Sequence, residues 1–331
     1  MDNLLPKIRK VEDADRGVLE TFSHSKLEQF NNCPYAYQLK YVQKKYPQVS
    51  TLPLSLGTTY HSTLEHKGKM LVTGQPVDYT LLKNMLTEGF DEYSEKAKVH
   101  IDGLNELSKR YFDEYYAADN KSGLNYKEKL ELFLEKVLPY EMEDDDWEPF
   151  LFEHSFEFVY DDRAIIRGFI DRIDKRTNEL GEVEYRVVDY KTSKAGFPDS
   201  KLATAQQMAI YSCALMLEFG AYAIEHLYRF ILINESQTAL TKDWQNRFDK
   251  KLTKILDSIA EFAKEDDFAP NPTPLCAWCN FCKNNPKAGE YQNECNYYSL
   301  WTPTNKTFSV NEKYVPKKDR QSQPAKRKLI F

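Results

Sequence analysis

Two short segments hold the residues best suited to chemistry. GFIDRID at residues 168–174 and VVDYKT at residues 187–192 read as apolar strands ending in carboxylates, the second with a lysine two positions on. Side chains alternate faces along a strand, so Asp189 and Lys191 share one face while Tyr190 points the other way. Antiparallel pairing across the polar loop at residues 175–184 would bring Asp171 to the same point. Such a point would suit phosphodiester hydrolysis, which needs a cation to neutralise charge in the transition state and to lower the pKa of a bound water. Hard Mg2+ or Mn2+ prefers carboxylate oxygens such as those of Asp171 and Asp189. Lys191 would orient or deprotonate the water, or stabilise the developing negative charge. The plainer alternative is a surface salt bridge on a hairpin. Asp174, three residues beyond Asp171, projects to the opposite face and reads, with Arg172, as structural or peripheral.

Other residues can join this point. His61 lies in GTTYHSTLEH, where Gly57 permits a tight approach and a helix stacks His61 on Glu65. A neutral imidazole is a reasonable extra ligand for Mn2+, although a single helical histidine is often only packed. Gln207 and Tyr211 are four residues apart on the helix after VVDYKT, and both side chains can hydrogen-bond phosphate or water; packing is the bland reading of Tyr211. Of the six cysteines, Cys276, Cys279, Cys282 and Cys295 cluster late, while Cys33 and Cys213 stand apart. CxxCxxC wraps thiolates around one centre. Four local sulfurs would satisfy zinc, whereas an iron-sulfur cubane also takes four and often draws one from far away, so the spacing leaves both open. Cys213 reads as packed in its helix.

The elements that must position these residues follow from periodicity. Ser25 and Glu28 form a capping-box pattern before SKLEQFNNCPYAYQLKYV, which Pro34 interrupts just after Cys33. Several helices are predicted over residues 55–139, including GLNELSKRYFDEYYAA and YKEKLELFLEKVL. After the acidic stretch EMEDDDWEP, read as a linker, the period changes to two, and three successive strands are predicted: FLFEHSFEFVY, RAIIRGFIDRID and EYRVVDYKTS. A helix closed by Gly220, a strand EHLYRFILIN and the amphipathic helix WQNRFDKKLTKILDSIAEFAKE follow. The expected divisions are a polar leader at 1–22, a helical region at 23–149, a core at 150–270, a cysteine cluster at 271–300 and a basic tail at 301–331.

At 331 residues the chain can bury a full core, and it has no apolar run long enough to cross a membrane and no secretory leader, so a cytoplasmic protein is expected. The net charge of -6 is uneven. Seven Lys or Arg between Lys313 and Lys328 oppose Asp319 alone, a local +6 that leaves about -12 for the remainder. An acidic enzyme body with a basic tail is compatible with DNA or with a protein partner, and equally with a merely solvated end.

Together these segments resemble the RecB-like branch of the PD-(D/E)XK nuclease superfamily, especially its AddB-like group with an iron-sulfur staple, which includes CRISPR-associated adaptation exonucleases. The similarity runs from about Ser23 to Cys295: the opening helix with its Cys-Pro, GTTYH, GFIDRID, VVDYKT and QMAIY stand in the family's order. The resemblance implies an α/β fold with a central mixed sheet flanked by helices. It implies that His61, Asp171, Asp189 and the Tyr190 carbonyl bind Mg2+ or Mn2+, that Lys191 is catalytic, and that Gln207 and Tyr211 position DNA. It also implies a [4Fe-4S] cluster on Cys33 and three late cysteines, stapling the N-terminal helix to the end of the core. This chain has four late cysteines; Cys276 and Cys279 belong to either arrangement, and Cys295 is preferred to Cys282 as the last ligand because the family's final gap is longer than two residues.

The resulting expectation is a metal-dependent DNA exonuclease acting on single strands or DNA ends in recombination, repair or replication. No GxxxxGK[ST] loop is present, so unwinding would come from a helicase partner, and a recombinase or replication partner could dock on the basic tail. The alternatives are an inactive DNA-binding or scaffold subunit, or a structure-specific endonuclease with zinc in place of iron-sulfur.

Overall fold

The computed structural model of the chain describes residues 3–13, 17–47, 52–88, 118, 123–143, 146–240, 242–283, 285, 290–302, 307–310 and 312–317. The expected helix GLNELSKRYFDEYYAA, save its last residue, and the basic residues beyond Lys317 lie outside these. The described residues form two compact units, one drawn from Met1–His24 and Ser50–Asp249, the other from Ser25–Val49 and Lys250–Phe331.

The first unit is α/β, built on a mixed seven-stranded sheet. Its centre is the long hairpin of β3 (Glu148–Tyr160) and β4 (Ala164–Thr177), whose alternating apolar residues the sequence shows plainly. At the turn, Asp161 and Asp162 both take φ 52, a left-handed conformation that aspartate tolerates better than most residues. β5 (Val183–Lys191) returns antiparallel to β4, and β6 (Glu225–Phe230) lies parallel to β5 after a helical crossover. The expected strand EHLYRFILIN stops at Phe230, because the chain turns through Asn234 at φ 53 into a short antiparallel return strand, Glu235–Thr238.

Residues 1–22, read as a polar leader, instead supply two short strands. β1 (Ile8–Arg9) pairs antiparallel with β3, and β2 (Glu20–Phe22) pairs parallel with the start of β4. Two or three residues are too few to show a period of two.

Helix α1 (Leu52–Val72) carries His61 and packs on β3 within a core that includes Tyr60, Leu64, Phe133, Phe152 and Tyr190. The tight approach expected at Gly57 falls at Gly68, where a Cβ would lie 2.0 Å from the Phe152 ring. At Gly57 the nearest atom is an ordinary contact, Thr192 Oγ1 at 3.4 Å. Gly68→Ala is therefore expected to destabilise the protein by about 1–3 kcal/mol through overpacking. Against the roughly 1 kcal/mol an alanine normally gains inside a helix, the net change is a loss of up to about 2 kcal/mol. Urea unfolding monitored by circular dichroism measures the balance, and a net stabilisation near 1 kcal/mol, the full helix gain, would refute the close fit.

The acidic stretch at 141–149 is not a free linker where it is described. Lys67, fully buried on α1, donates to the carbonyls of Leu138 at 2.8 Å, Pro139 at 3.0 Å and Glu141 at 2.6 Å. The Glu141 side chain is itself buried against Arg172 and Arg229. After β5 the predicted single helix divides into α2 (Asp199–Ala203) and α3 (Gln206–Phe219), and Gly220 ends the second at φ 76, as expected.

In the second unit, Pro34 occupies the first turn of the short helix Pro34–Tyr37, and Cys33 stands just before it in extended conformation. Phe30, Tyr37, Phe262 and Phe268 pack edge-on and stacked, with Phe30 and Phe262 centroids 5.7 Å apart. The amphipathic helix runs over Trp244–Glu265, as its period predicts, and a small hairpin pairs Ser299–Thr302 with Thr307–Val310. No helix among the described residues is long and apolar enough to cross a membrane.

Candidate active site

The ladder between β4 and β5 stops at the pair Arg172↔Val188. One step further, Asp171 stands opposite Asp189, and its Oδ2 accepts the Tyr190 N–H at 2.7 Å. A side chain thus takes a backbone donor at the strand ends, which holds both carboxylates on one face. Asp189 is almost fully buried; the Tyr211 hydroxyl donates to its Oδ1 at 3.2 Å, and Lys191 Nζ pairs with its Oδ2. Lys191 also donates to Gln207 Oε1 at 3.2 Å, and Gln207 Nε2 donates to the Tyr211 oxygen at 2.8 Å. Asp189, Lys191, Gln207 and Tyr211 therefore close a ring of polar contacts. Gln207 and Tyr211, expected to meet DNA, turn inward to this ring, and Tyr211 is buried.

His61 reaches the same place from α1. Its Nε2 lies 3.1 Å from the Tyr190 carbonyl oxygen and its Nδ1 3.4 Å from Asp171 Oδ2. Glu65, one turn on, pairs with Lys69 instead. Burial, then the neighbouring Asp189 charge, pushes the Asp171 carboxyl up to about 7, against the opposing pull of His61, the Tyr190 N–H and Lys191. Burial pulls His61 down, but the charges of Glu153, Asp171 and Asp189 outweigh it and hold its pKa above the ordinary value.

Behind the site, on the other face of the same strands, sits a buried ionic network. Asp174, fully buried, accepts from Arg172 Nε at 2.6 Å and Arg186 Nε at 2.7 Å. Arg172 Nη1 donates to Glu141 at 3.0 Å and to the Tyr190 hydroxyl at 2.9 Å. Tyr190 is thereby pinned by its ring hydroxyl while its carbonyl faces His61. Strand alternation separates Asp174 from Asp171, as the sequence predicts.

Glu153 is the residue that sequence reasoning missed. It occupies the β3 position between the pairs Phe152↔Arg172 and His154↔Ile170, across from Asp171. Its backbone takes φ 43, which in a non-glycine strand residue costs about 1–3 kcal/mol. His61, Glu153 and Asp171 each offer one ligand atom, all within 4.8 Å of one another. His61 and Glu153 border a cleft of about 640 Å³, together with Glu65, Thr192 and Phe169, a residue that is 61% exposed. Nothing in EHSFEF singles out Glu153 over Glu157, since the distinguishing feature is a backbone conformation. Carboxylate and carbonyl oxygens with one imidazole nitrogen are a donor set suited to Mg2+ or Mn2+.

Five cysteines gather in the second unit. The Cys282 thiol is in hydrogen-bonding contact with Cys276, Cys279 and Cys295, contacts that raise its own pKa and lower those of Cys279 and Cys295. Cys33 packs against the same cluster and accepts the Asn271 N–H at 3.4 Å; burial raises its pKa, and Cys279 and Cys295 add to the rise. The donor set suits a thiolate-bound centre and supplies one sulfur more than four ligands need. Cys213 is buried in α3, as expected. Lys317, at the start of the basic tail, is engaged by Asp266 at 2.6 Å.

A profile of the PD-(D/E)XK nuclease superfamily matches residues 21–283. The chain is also similar to three proteins that are each named as a subunit of an ATP-dependent helicase/deoxyribonuclease. It is 27% identical to the one from Clostridium tetani over 217 residues, covering 59% of this chain and 18% of the relative. It is 30% identical to the one from Carboxydothermus hydrogenoformans over 183 residues, 52% and 16% of the two chains. With the one from Clostridium perfringens it shares 28% over 223 residues, 62% and 18%. The chain thus spans less than a fifth of the length of these curated relatives.

Proposed function

Because the chain belongs to the PD-(D/E)XK nuclease superfamily, we propose that it is a Mg2+- or Mn2+-dependent deoxyribonuclease, an exonuclease on single strands or DNA ends in recombination, repair or replication. The observation that carries this reading is the convergence of His61, Asp171, Asp189 and Lys191 where β4 and β5 part. The names of the similar proteins support DNA as substrate and a helicase as partner.

Asp171, Asp189, the Tyr190 carbonyl and His61 would hold the cation, which supplies charge neutralisation at the phosphate and an acidified water. Lys191 sits beside Asp189 to take up the water proton or steady the developing oxyanion. Tyr211 and Gln207 fix the carboxylate and the ammonium in their relative positions. Phe169, exposed at the cleft edge, offers a ring on which a base can stack. Cleavage of labelled single-stranded and duplex DNA with Mg2+ or Mn2+ tests the activity, and 5′-blocked, 3′-blocked and circular substrates separate end-directed from internal cutting. Absence of any cleavage would refute the reading.

The raised Asp171 gives a pH signature. Its folded pKa of about 7 lies above the ordinary 3.8, so its contribution to stability is full below about pH 4 and is lost as pH rises through 7. A cation favours the ionised form. The rise in melting temperature on adding Mn2+ is therefore expected to be larger near pH 8 than near pH 5; equal shifts at both would remove Asp171 from the ligand set.

For the cysteines the proposal is a [4Fe-4S] cluster on Cys33, Cys276, Cys279 and Cys295, with Cys282 as the alternative to Cys295 and Zn2+ as the alternative centre. Cys33→Ser is expected to bleach the visible absorbance of anaerobically purified protein and to lower its iron content. Full colour and iron in that variant would assign the four local sulfurs instead.

A further inference from the structure

Tyr190 brings two backbone groups to the site: its N–H is donated to Asp171 Oδ2 at 2.7 Å, and its carbonyl oxygen lies 3.1 Å from His61 Nε2. The far end of the same residue is held by charge. Its ring is buried, and its hydroxyl accepts from Arg172 Nη1 at 2.9 Å and donates to Glu141 Oε1 at 3.4 Å. A phenol placed between a guanidinium and a carboxylate has one favoured direction for its O–H, and the rigid ring carries that constraint to the backbone.

Glu141 is the centre of this arrangement. Its Oε1 accepts from Arg172 at 3.0 Å and its Oε2 from Arg229 Nε at 2.8 Å, so one buried carboxylate ties β4, β5 and β6 together. The Glu141 carbonyl accepts from Lys67 Nζ at 2.6 Å, and Lys67 stands on α1, the helix that carries His61. The next residue, Met142, takes φ 71, a left-handed conformation unusual outside glycine. Apolar side chains of similar volume commonly stabilise a core as well as buried ion pairs do, so what this turn adds is orientation.

We infer that Glu141 is a positioning residue of the nuclease centre: through the Tyr190 hydroxyl it sets the peptide on which Asp171 and the cation depend, and through its carbonyl and Lys67 it fixes α1 to the same strands. This rests on the proposed metal-dependent reading and extends it to a residue that acts through others.

Mn2+ titration of the full chain by calorimetry, with amide hydrogen exchange of the metal-free protein followed by nuclear magnetic resonance, tests the inference. In Glu141→Gln an amide turns its NH2 toward one of the two guanidinium groups, and in Tyr190→Phe the hydroxyl is gone. Each is expected to weaken Mn2+ binding by roughly 10–100-fold, the usual effect of removing a group that orients a metal ligand. In the double variant the losses should not add, since both act through one hydroxyl. Without metal, the Tyr190 amide should lose protection more than the other amides of β5. A residue that merely stabilises would lower the urea midpoint, leave Mn2+ affinity unchanged and speed exchange evenly along β5; that result overturns the inference while the metal-dependent reading stands. Additive losses in the double variant would also overturn it, by giving Glu141 a route that bypasses Tyr190. Should Glu141→Gln fail to fold, Tyr190→Phe, which removes one oxygen and keeps the ring, decides by the same readings. If wild type binds no Mn2+, the metal-dependent reading falls, and exchange of the Tyr190 amide alone decides the positioning role.

Discussion

Lys191→Ala is expected to lower DNA cleavage by roughly 10²–10³-fold, the usual loss when one preorganised charge leaves a reacting phosphate or acyl centre. The same change should leave Mn2+ affinity unchanged or raise it. Lys191 pairs with Asp189 Oδ2, so its ammonium competes with any cation for that carboxylate. An opposite movement of turnover and metal affinity separates a role in the reaction from a role in folding. Lys191→Arg divides the two chemical roles: a guanidinium keeps the charge but does not take up a proton at working pH. Recovery in the arginine variant would assign electrostatic stabilisation, and failure to recover would assign proton transfer. Cleavage within a fewfold of wild type in Lys191→Ala would refute the proposed site.

Asp174→Ala is expected to cost about 3–5 kcal/mol of stability, the loss seen when one partner of a buried ion pair is removed. Asp174 is fully buried between Arg172 and Arg186, and the alanine would leave two guanidinium groups without their shared counter-charge. Against a total of about 5–15 kcal/mol for a typical domain this is a large fraction. The Tyr190 hydroxyl shares Arg172, so the carbonyl of Tyr190 loses an anchor as well. Urea unfolding with matched m-values measures the loss, and Mn2+ affinity well below the melting temperature reports the displaced carbonyl. A loss below about 1 kcal/mol would mean that water replaces the carboxylate and that the network is not closed.

The central hairpin, β5 and the last long helix were legible because each is long enough to display its period. The site was legible for the same reason: alternation along β4 and β5 places Asp171, Asp189 and Lys191 on one face and sends Asp174 to the other. The short strands β1 and β2 were not, because what defines them is a partner far along the chain. Lys67 lies in a helix whose sequence gives it no mark of burial, and only the carbonyls of residues 138–141 reveal its place. Glu153 depends on one backbone angle, and Gln207 and Tyr211 depend on which way a helix presents them. The resemblance prefers Cys295 to Cys282 as the last ligand, whereas in the structure both pack in the same cluster.

The meeting of Cys33 with the late cysteines also has a consequence in time. Cys33 and its contact Asn271 are 238 residues apart. At a synthesis rate of about 5–20 residues per second, Cys33 waits roughly 12–48 s on the ribosome before its neighbours emerge. The nuclease sheet, whose strands end at Thr238, can pair during that interval. The thiol cluster therefore assembles after the strands of this sheet have been synthesised, and of its five thiols Cys33 is exposed longest to oxidants or to a scavenging metal on the way.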